Sequence, residues 1–171
     1  KLTVNGSFVS DTLRVEGGSL ALNGEGNSFN HVELAGAEEG GVLDINRNTV
    51  MGDLTDSGEG AALNIGSGAS LSVNGASSLS SSTIQGSGTL TLRDTLEISG
   101  TASLQGGVLL DLAKDDDSTG TLDLGSTSGS TVSGIGGEGT LKSAGGVLTV
   151  NTGNLGGGSV FSGTLEGRGQ L

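Results

Sequence analysis

The chain has 171 residues with 35 Gly, three Phe and no Pro, Cys, Trp or Tyr. Its interior must therefore be filled by Val, Leu, Ile and Ala, without the aromatics that carry much of an ordinary core. Seven basic against 19 acidic residues give a net charge of −12, which argues against a nucleic-acid partner, and no run approaches the ~20 apolar residues of a bilayer-spanning helix.

From the first residues onward, aliphatic pairs recur at i and i+2: Leu2/Val4, Leu13/Val15, Leu20/Leu22, Val32/Leu34 and Leu43/Ile45. They continue through Leu63/Ile65, Leu71/Val73, Leu90/Leu92, Leu96/Ile98, Leu110/Leu112, Leu122/Leu124 and Leu148/Val150. A period of two sets both members of a pair on one face of an extended segment, and helical spacing is nowhere sustained. Acidic composition alone would also suit a disordered chain, but regularly spaced aliphatic pairs count against disorder. Between Leu63 and Leu110 the apolar positions recur in steps of 5 to 8 residues. Three such steps make about 20 residues, the length of one turn of a three-sided β-solenoid with a short strand on each side. The expected fold is all-β, a parallel β-helix of about eight rungs forming one segment over residues 1–171. At a strand spacing of about 4.8 Å it would be a rod about 40 Å long. An antiparallel sandwich is the rival, but most runs are shorter than its usual strands.

Four near-copies of one phrase punctuate the chain: LTVNG at 2–6, LALNG at 20–24, LSVNG at 71–75 and LTVNTG at 148–153. Asn-Gly after an alternating run is a strong hairpin signal. Yet Glu25–Ser28 and Ala76–Leu79 make poor return strands. The phrase is therefore read as a corner, where a residue tolerating positive φ sends the chain into the next side. Absence of Pro fits the same reading, because interior rungs donate every backbone N–H to a neighbour.

Three polar stretches exceed a corner: AGAEEGG (35–41), NRNTVMGDLTDSGEG (46–60) and AKDDDSTG (113–120). Insertions in repeat proteins project from one face and are frequent binding sites. The candidate binding residues are accordingly Glu38, Glu39, Asp53, Asp56, Asp115, Asp116 and Asp117, against the plainer reading of solvated charged loops. Residues 76–89 are Ser-rich, but Leu79, Ile84 and Leu90 keep the rhythm, so rungs with a Ser-rich outer face are expected.

The Asp115–Asp117 cluster, with Asp111 and Asp123 nearby, offers oxygen ligands for calcium or an acid/base pair. Adjacent residues in a loop point in different directions, however, and the calcium-repeat phrase fails at GGEGTL (136–141), where Leu141 stands in place of Asp. His31, the single histidine, has no nucleophile signature such as G-x-S-x-G beside it. With one His and no Cys, a structural zinc site is not expected either. No catalytic residue, metal or cofactor is assigned, and the chain reads as a non-enzyme.

The phrases GSGTLTLRDTLEISGTASLQGG (86–107), GGVLTVNTGN (145–154) and SVFSGTLEGRGQL (159–171) give the chain a distinctive texture of Gly, Asn, Ser, Thr and aliphatics. In this texture it resembles the passenger region of autotransporters, the secreted β-helical proteins of Gram-negative bacteria. The likeness covers essentially all 171 residues and brings no functional motif to transfer. It implies a right-handed parallel β-helix, translocated across the outer membrane and displayed at the cell surface, acting in adhesion or autoaggregation. The partners it implies are a second copy or a ligand on another cell. A structural stalk and a polysaccharide-active β-helix enzyme are the alternatives. Nothing resembles the membrane barrel that follows such passengers, so this segment is not expected to insert into a membrane. Beginning and ending in mid-pattern, it is expected to be a piece of a longer passenger.

Overall fold

The computed structural model describes residues 1–36, 40–151 and 160–168. Among them every regular element is a strand and there is no helix. The first turns combine short and long strands: β1 (Leu2–Val4), β2 (Val9–Glu16), β3 (Ser19–Leu22), β4 (Asn27–Ala35), β5 (Val42–Ile45) and β6 (Thr49–Ser57). Short strands, three to a turn, follow: β7 (Ala62–Ile65), β8 (Ser70–Val73), β9 (Ser77–Leu79), then β10 (Thr83–Gly86), β11 (Thr89–Leu92), β12 (Thr95–Ile98). The later turns hold β13 (Ser103–Gly106), β14 (Leu109–Leu112), β15 (Thr121–Asp123), β16 (Ser128–Val132), β17 (Gly134–Gly137) and β18 (Thr140–Ser143). The described strands close with β19 (Val147–Val150) and β20 (Thr164–Gly167).

These strands pair in parallel, each with its counterpart one turn away, and build the expected β-solenoid of about eight turns. One side stacks β1, β3, β5, β7, β10 and β13. The other two sides form one sheet, because β2, β4 and β6 run along both without a break. At β6 they part company: its start pairs with β8 and its end meets β9.

The aliphatic pairs become columns. On the first side Leu20, Leu43, Leu63, Ile84 and Leu104 stand in register and are buried. On the second, Met51, Val73, Leu92 and Leu112 do the same. On the third, Leu96, Leu122 and Leu141 follow one another. Each such side chain contributes about 1.5–3 kcal/mol by leaving water, so a thin core without tryptophan or tyrosine still holds the rod. Phe8 and Phe29 fill the second side near its start, with ring centroids 5.3 Å apart and planes at 84°.

The phrases at 2–6, 20–24 and 71–75 are corners, as expected, but for a different reason; the Thr-Gly end of the copy at 148–153 lies outside the described residues. Gly6, Gly24 and Gly75 do not have positive φ. Gly24 is required by stacking: a Cβ there would lie 2.9 Å from Gly6 Cα and closer still to its carbonyl. Gly75 sits over Gly52 in the same way, with a Cβ position 2.8 Å from the Gly52 oxygen. The Asn side chains make a ladder outside: Asn23 Nδ2 donates to Asn5 Oδ1 at 3.1 Å, and Asn46 Nδ2 to Asn23 Oδ1 at 2.8 Å.

The stretch 46–60 departs from the sequence reading. Most of it is β6, a nine-residue strand with Thr49, Met51 and Leu54 buried. The strand pairing skips Gly52, where the backbone turns from the second side to the third, and this shifts the inward positions out of simple alternation.

Several buried positions are polar, and Asn27, Ser77 and Ser130 among them do the same work. Phe8 N donates to Asn27 Oδ1 at 3.1 Å, Leu54 N to Ser77 Oγ at 2.9 Å and Leu104 N to Ser130 Oγ at 3.2 Å. In every case a side-chain oxygen of the next turn accepts from a backbone N–H. The replacement Ser130→Ala would leave the buried Leu104 N–H without this acceptor and is expected to lower stability by about 1.5 kcal/mol. Denaturant midpoints read this directly, and an unchanged midpoint would show that another group takes over.

Candidate functional site

The acidic candidates divide into distinct environments. Glu38 and Glu39 lie outside the described residues. Asp53 is on β6, where its carboxylate pairs with His31 Nδ1 on β4; both side chains are partly exposed. Asp56, also on β6, stands in register with buried Leu34 and reaches over the corner of the next turn. It accepts hydrogen bonds from the N–H groups of Ser80 (2.9 Å), Ser81 (2.8 Å) and Ser82 (2.8 Å), and from the Ser80 hydroxyl at 3.0 Å. Burial pushes its carboxyl up, but the Ser81 and Ser80 N–H groups outweigh that and hold it below the usual carboxylate range. Both aspartates were expected in a projecting loop; they are on a strand, and Asp56 is a bracket between turns.

Asp115 serves its own loop. It accepts from the Ser118 hydroxyl at 2.7 Å, Ser118 N–H at 2.8 Å and Asp117 N–H at 3.2 Å, and Arg93 Nη1 lies 2.9 Å away. The Ser118 hydroxyl is the main reason its carboxyl is held below the ordinary range, against a smaller opposing effect of burial. Asp116 and Asp117 are exposed on the tip. Among the described residues no three His, Asp or Glu side chains are grouped so as to hold a metal ion.

A further charged network covers the third side. Arg14 Nη1 donates to Glu33 Oε2 at 2.6 Å, and Ser57 Oγ donates to Glu33 Oε1 at 2.6 Å. The Ser57 hydroxyl first, then Arg14, hold the Glu33 carboxyl low. On the first side, Asn64 Nδ2 donates to Asp44 Oδ1 at 2.7 Å and Gln85 Nε2 to Asn64 Oδ1 at 2.8 Å. Three successive turns are thus linked by side-chain amides on the outer surface.

A concavity away from every acidic candidate was not a sequence candidate. It opens at the corner between the first and second sides, where the first sheet ends at β13 and β16 pairs only with β19. Here the ladder is carried by Leu104 N to Ser130 Oγ, and the pairing of β16 with β19 shifts register between Ser128 and Ser130. Three successive turns line it: Ser87 and Thr89, then Gln105 and Gly107, then Thr131 and Ser133. The cavity measures about 1030 Å³. A second hollow of about 520 Å³ shares Ser87, Gln105 and Gly106 and continues toward Gln85, Asn64 and Asn46. The sequence signal for this place is a silence: no aliphatic i, i+2 pair occurs between Leu122/Leu124 and Leu148/Val150. A bulged break in an otherwise regular sheet is where strands redirect side chains for function.

The described lining of both hollows contains no ionisable side chain. What it presents is amides, hydroxyls and glycine backbone, which donate and accept hydrogen bonds but carry no charge, together with apolar surface that includes Leu109 and Ile65. Compared with family models, with curated proteins and with solved structures, the chain finds no match in any of the three, so its function rests on its own residues.

Proposed function

We propose that the chain is a non-enzymatic adhesion module displayed on a bacterial surface, a segment of an autotransporter-type passenger that holds cells together or to a ligand. The observation that carries this reading is the outer amide ladder, in which Asn5, Asn23 and Asn46 repeat one hydrogen-bonding pattern turn after turn. A periodic row of weak donors and acceptors on a stiff rod gains strength by number, since each contact made raises the effective concentration of the next. The Asp44–Asn64–Gln85 row adds a second strip of the same chemistry. The net charge of −12 opposes approach of two rods, so association should strengthen as salt screens it.

Cells displaying the chain test the reading through sedimentation and attachment assays over a range of salt concentrations. Clumping or attachment that increases with salt is expected. Absence of both at every salt concentration would overturn the proposal in favour of an inert stalk.

A further inference from the structure

We infer that the groove crossing the successive corners between the first and second sides, at residues 87–89, 105–109 and 129–133, binds an uncharged, unbranched oligosaccharide. The inference rests on the adhesion reading for where such a ligand is met, and it adds the ligand's chemistry. Four features select that class. First, the groove is formed, at about 1030 Å³, and continues along the rod into a second hollow of about 520 Å³, so an elongated ligand fits better than a compact one. Second, its polar groups are neutral: Ser87, Thr89, Gln105, Thr131 and Ser133 supply hydroxyls and an amide, each both donor and acceptor, as sugar hydroxyls are.

Third, the alternatives lack partners. An anionic glycan meets no cation in the described lining and a chain of net charge −12, while a cationic ligand meets no carboxylate there. A lipid or apolar peptide finds a wall that mixes polar and apolar surface, with Leu109 the one large aliphatic side chain in the described lining of this hollow. Fourth, some hydrogen-bonding capacity is in place. Gln105 Nε2 donates to Ser103 Oγ at 3.0 Å, which orients its amide while leaving the carbonyl oxygen to face a ligand. Ser133 Oγ donates to Gly107 O at 2.8 Å, tying two turns of the lining together and leaving the hydroxyl's lone pairs as acceptors. The turn spacing of the solenoid, about 4.8 Å, is close to the advance of one pyranose unit in a linear glycan, so successive sugars meet successive turns. With no carboxylate among the described lining residues, the groove holds a glycan without the acid/base pair that cleavage requires.

The test is calorimetric titration of the full chain with hexaoses of glucose, mannose, galactose and N-acetylglucosamine, alongside heparin and polygalacturonate. At least one neutral hexaose is expected to bind with an affinity independent of salt, because no charge is paired. Gln105→Ala and Thr131→Ala should each weaken it by about tenfold, the value of one lost hydrogen bond, while Ser72→Ala on the second side should not. Melting temperatures of the variants establish that they fold. Binding by none of the neutral hexaoses, binding of anionic glycans alone with a steep fall in salt, or affinity untouched by both groove variants would each overturn the inference. Release of reducing ends would overturn the statement that the groove binds without cleaving. Cell attachment is scored separately: attachment without glycan binding removes the inference and leaves the adhesion reading, and glycan binding without attachment or clumping does the reverse.

Discussion

Replacing Asp56 by Ala is expected to destabilise the rod by about 3 kcal/mol, the loss of several charge-assisted hydrogen bonds discounted for partial exposure. The carboxylate collects the N–H groups of Ser80, Ser81 and Ser82, three consecutive donors of one corner. Ser80 is exposed and its N–H rehydrates when the carboxylate is removed, but Ser82 is buried and its N–H does not. Asp56→Asn, which keeps one acceptor oxygen, should fall between wild type and Ala. The carboxyl is held below its ordinary range in the folded chain, so its stabilisation is complete above the unfolded pKa and is lost as pH falls through the folded value. The stability gap between wild type and Asp56→Asn should therefore be widest near neutral pH and close below about pH 4. Denaturant melts at a series of pH values check this. Equal midpoints at pH 7, or a gap that widens on acidification, would show that the bracket is not what holds the corner. Amide exchange gives the local reading: the protection of Ser82 should fall before that of Leu63 or Leu104, because turns of a solenoid open by neighbours and not all at once.

This bracket also shows where sequence reading stops. The columns of Leu43, Leu63, Ile84 and Leu104 were legible because each lies in a strand of simple alternation, and the stacking of like on like follows from a fixed turn length. Strand β6 was not legible, because it runs around a bend at Gly52. Its buried positions Thr49, Met51 and Leu54 fall two and then three residues apart, and a search for i, i+2 aliphatic pairs passes over them. Asp56 thus looked like loop charge when it occupies a strand position beside Leu34. Density of acid misled in the same way at 113–120, where Asp115 spends Oδ1 on Ser118 and Asp117 of its own loop and Oδ2 on Arg93. The groove was hidden for the opposite reason. It arises because Ser130 occupies an inward position in register with Leu148, so the break is marked by a missing residue type and not by any motif.

The Asn-Gly phrase yields a comparison in which identical substitutions at two copies should differ in sign. Gly24→Ala is expected to cost about 3 kcal/mol, the upper end of overpacking penalties, while Gly6→Ala should be neutral or stabilise by about 0.4–1 kcal/mol. Both glycines follow Asn at the corner after a first-side strand, and neither has positive φ, so backbone preference does not separate them. Stacking does. A methyl at Gly24 points into the Gly6 backbone of the turn beneath, where no flexible side chain can move aside, and the two turns must spread. Spreading them lengthens the adjacent Asn23 N to Val4 O hydrogen bond, now 2.8 Å, and separates the Asn23 and Asn5 amides. A methyl at Gly6 meets no atom within 4 Å and only restricts the unfolded chain. Denaturant midpoints of the two variants read the difference, and amide exchange at Asn23 locates it. Similar losses at both positions would mean that the corner needs glycine for its own conformation. A loss confined to Gly24 means that glycine is imposed there by the turn beneath: Gly24 lies over Gly6, as Gly75 lies over Gly52, and it is this close approach of turns, not the corner's own conformation, that requires it.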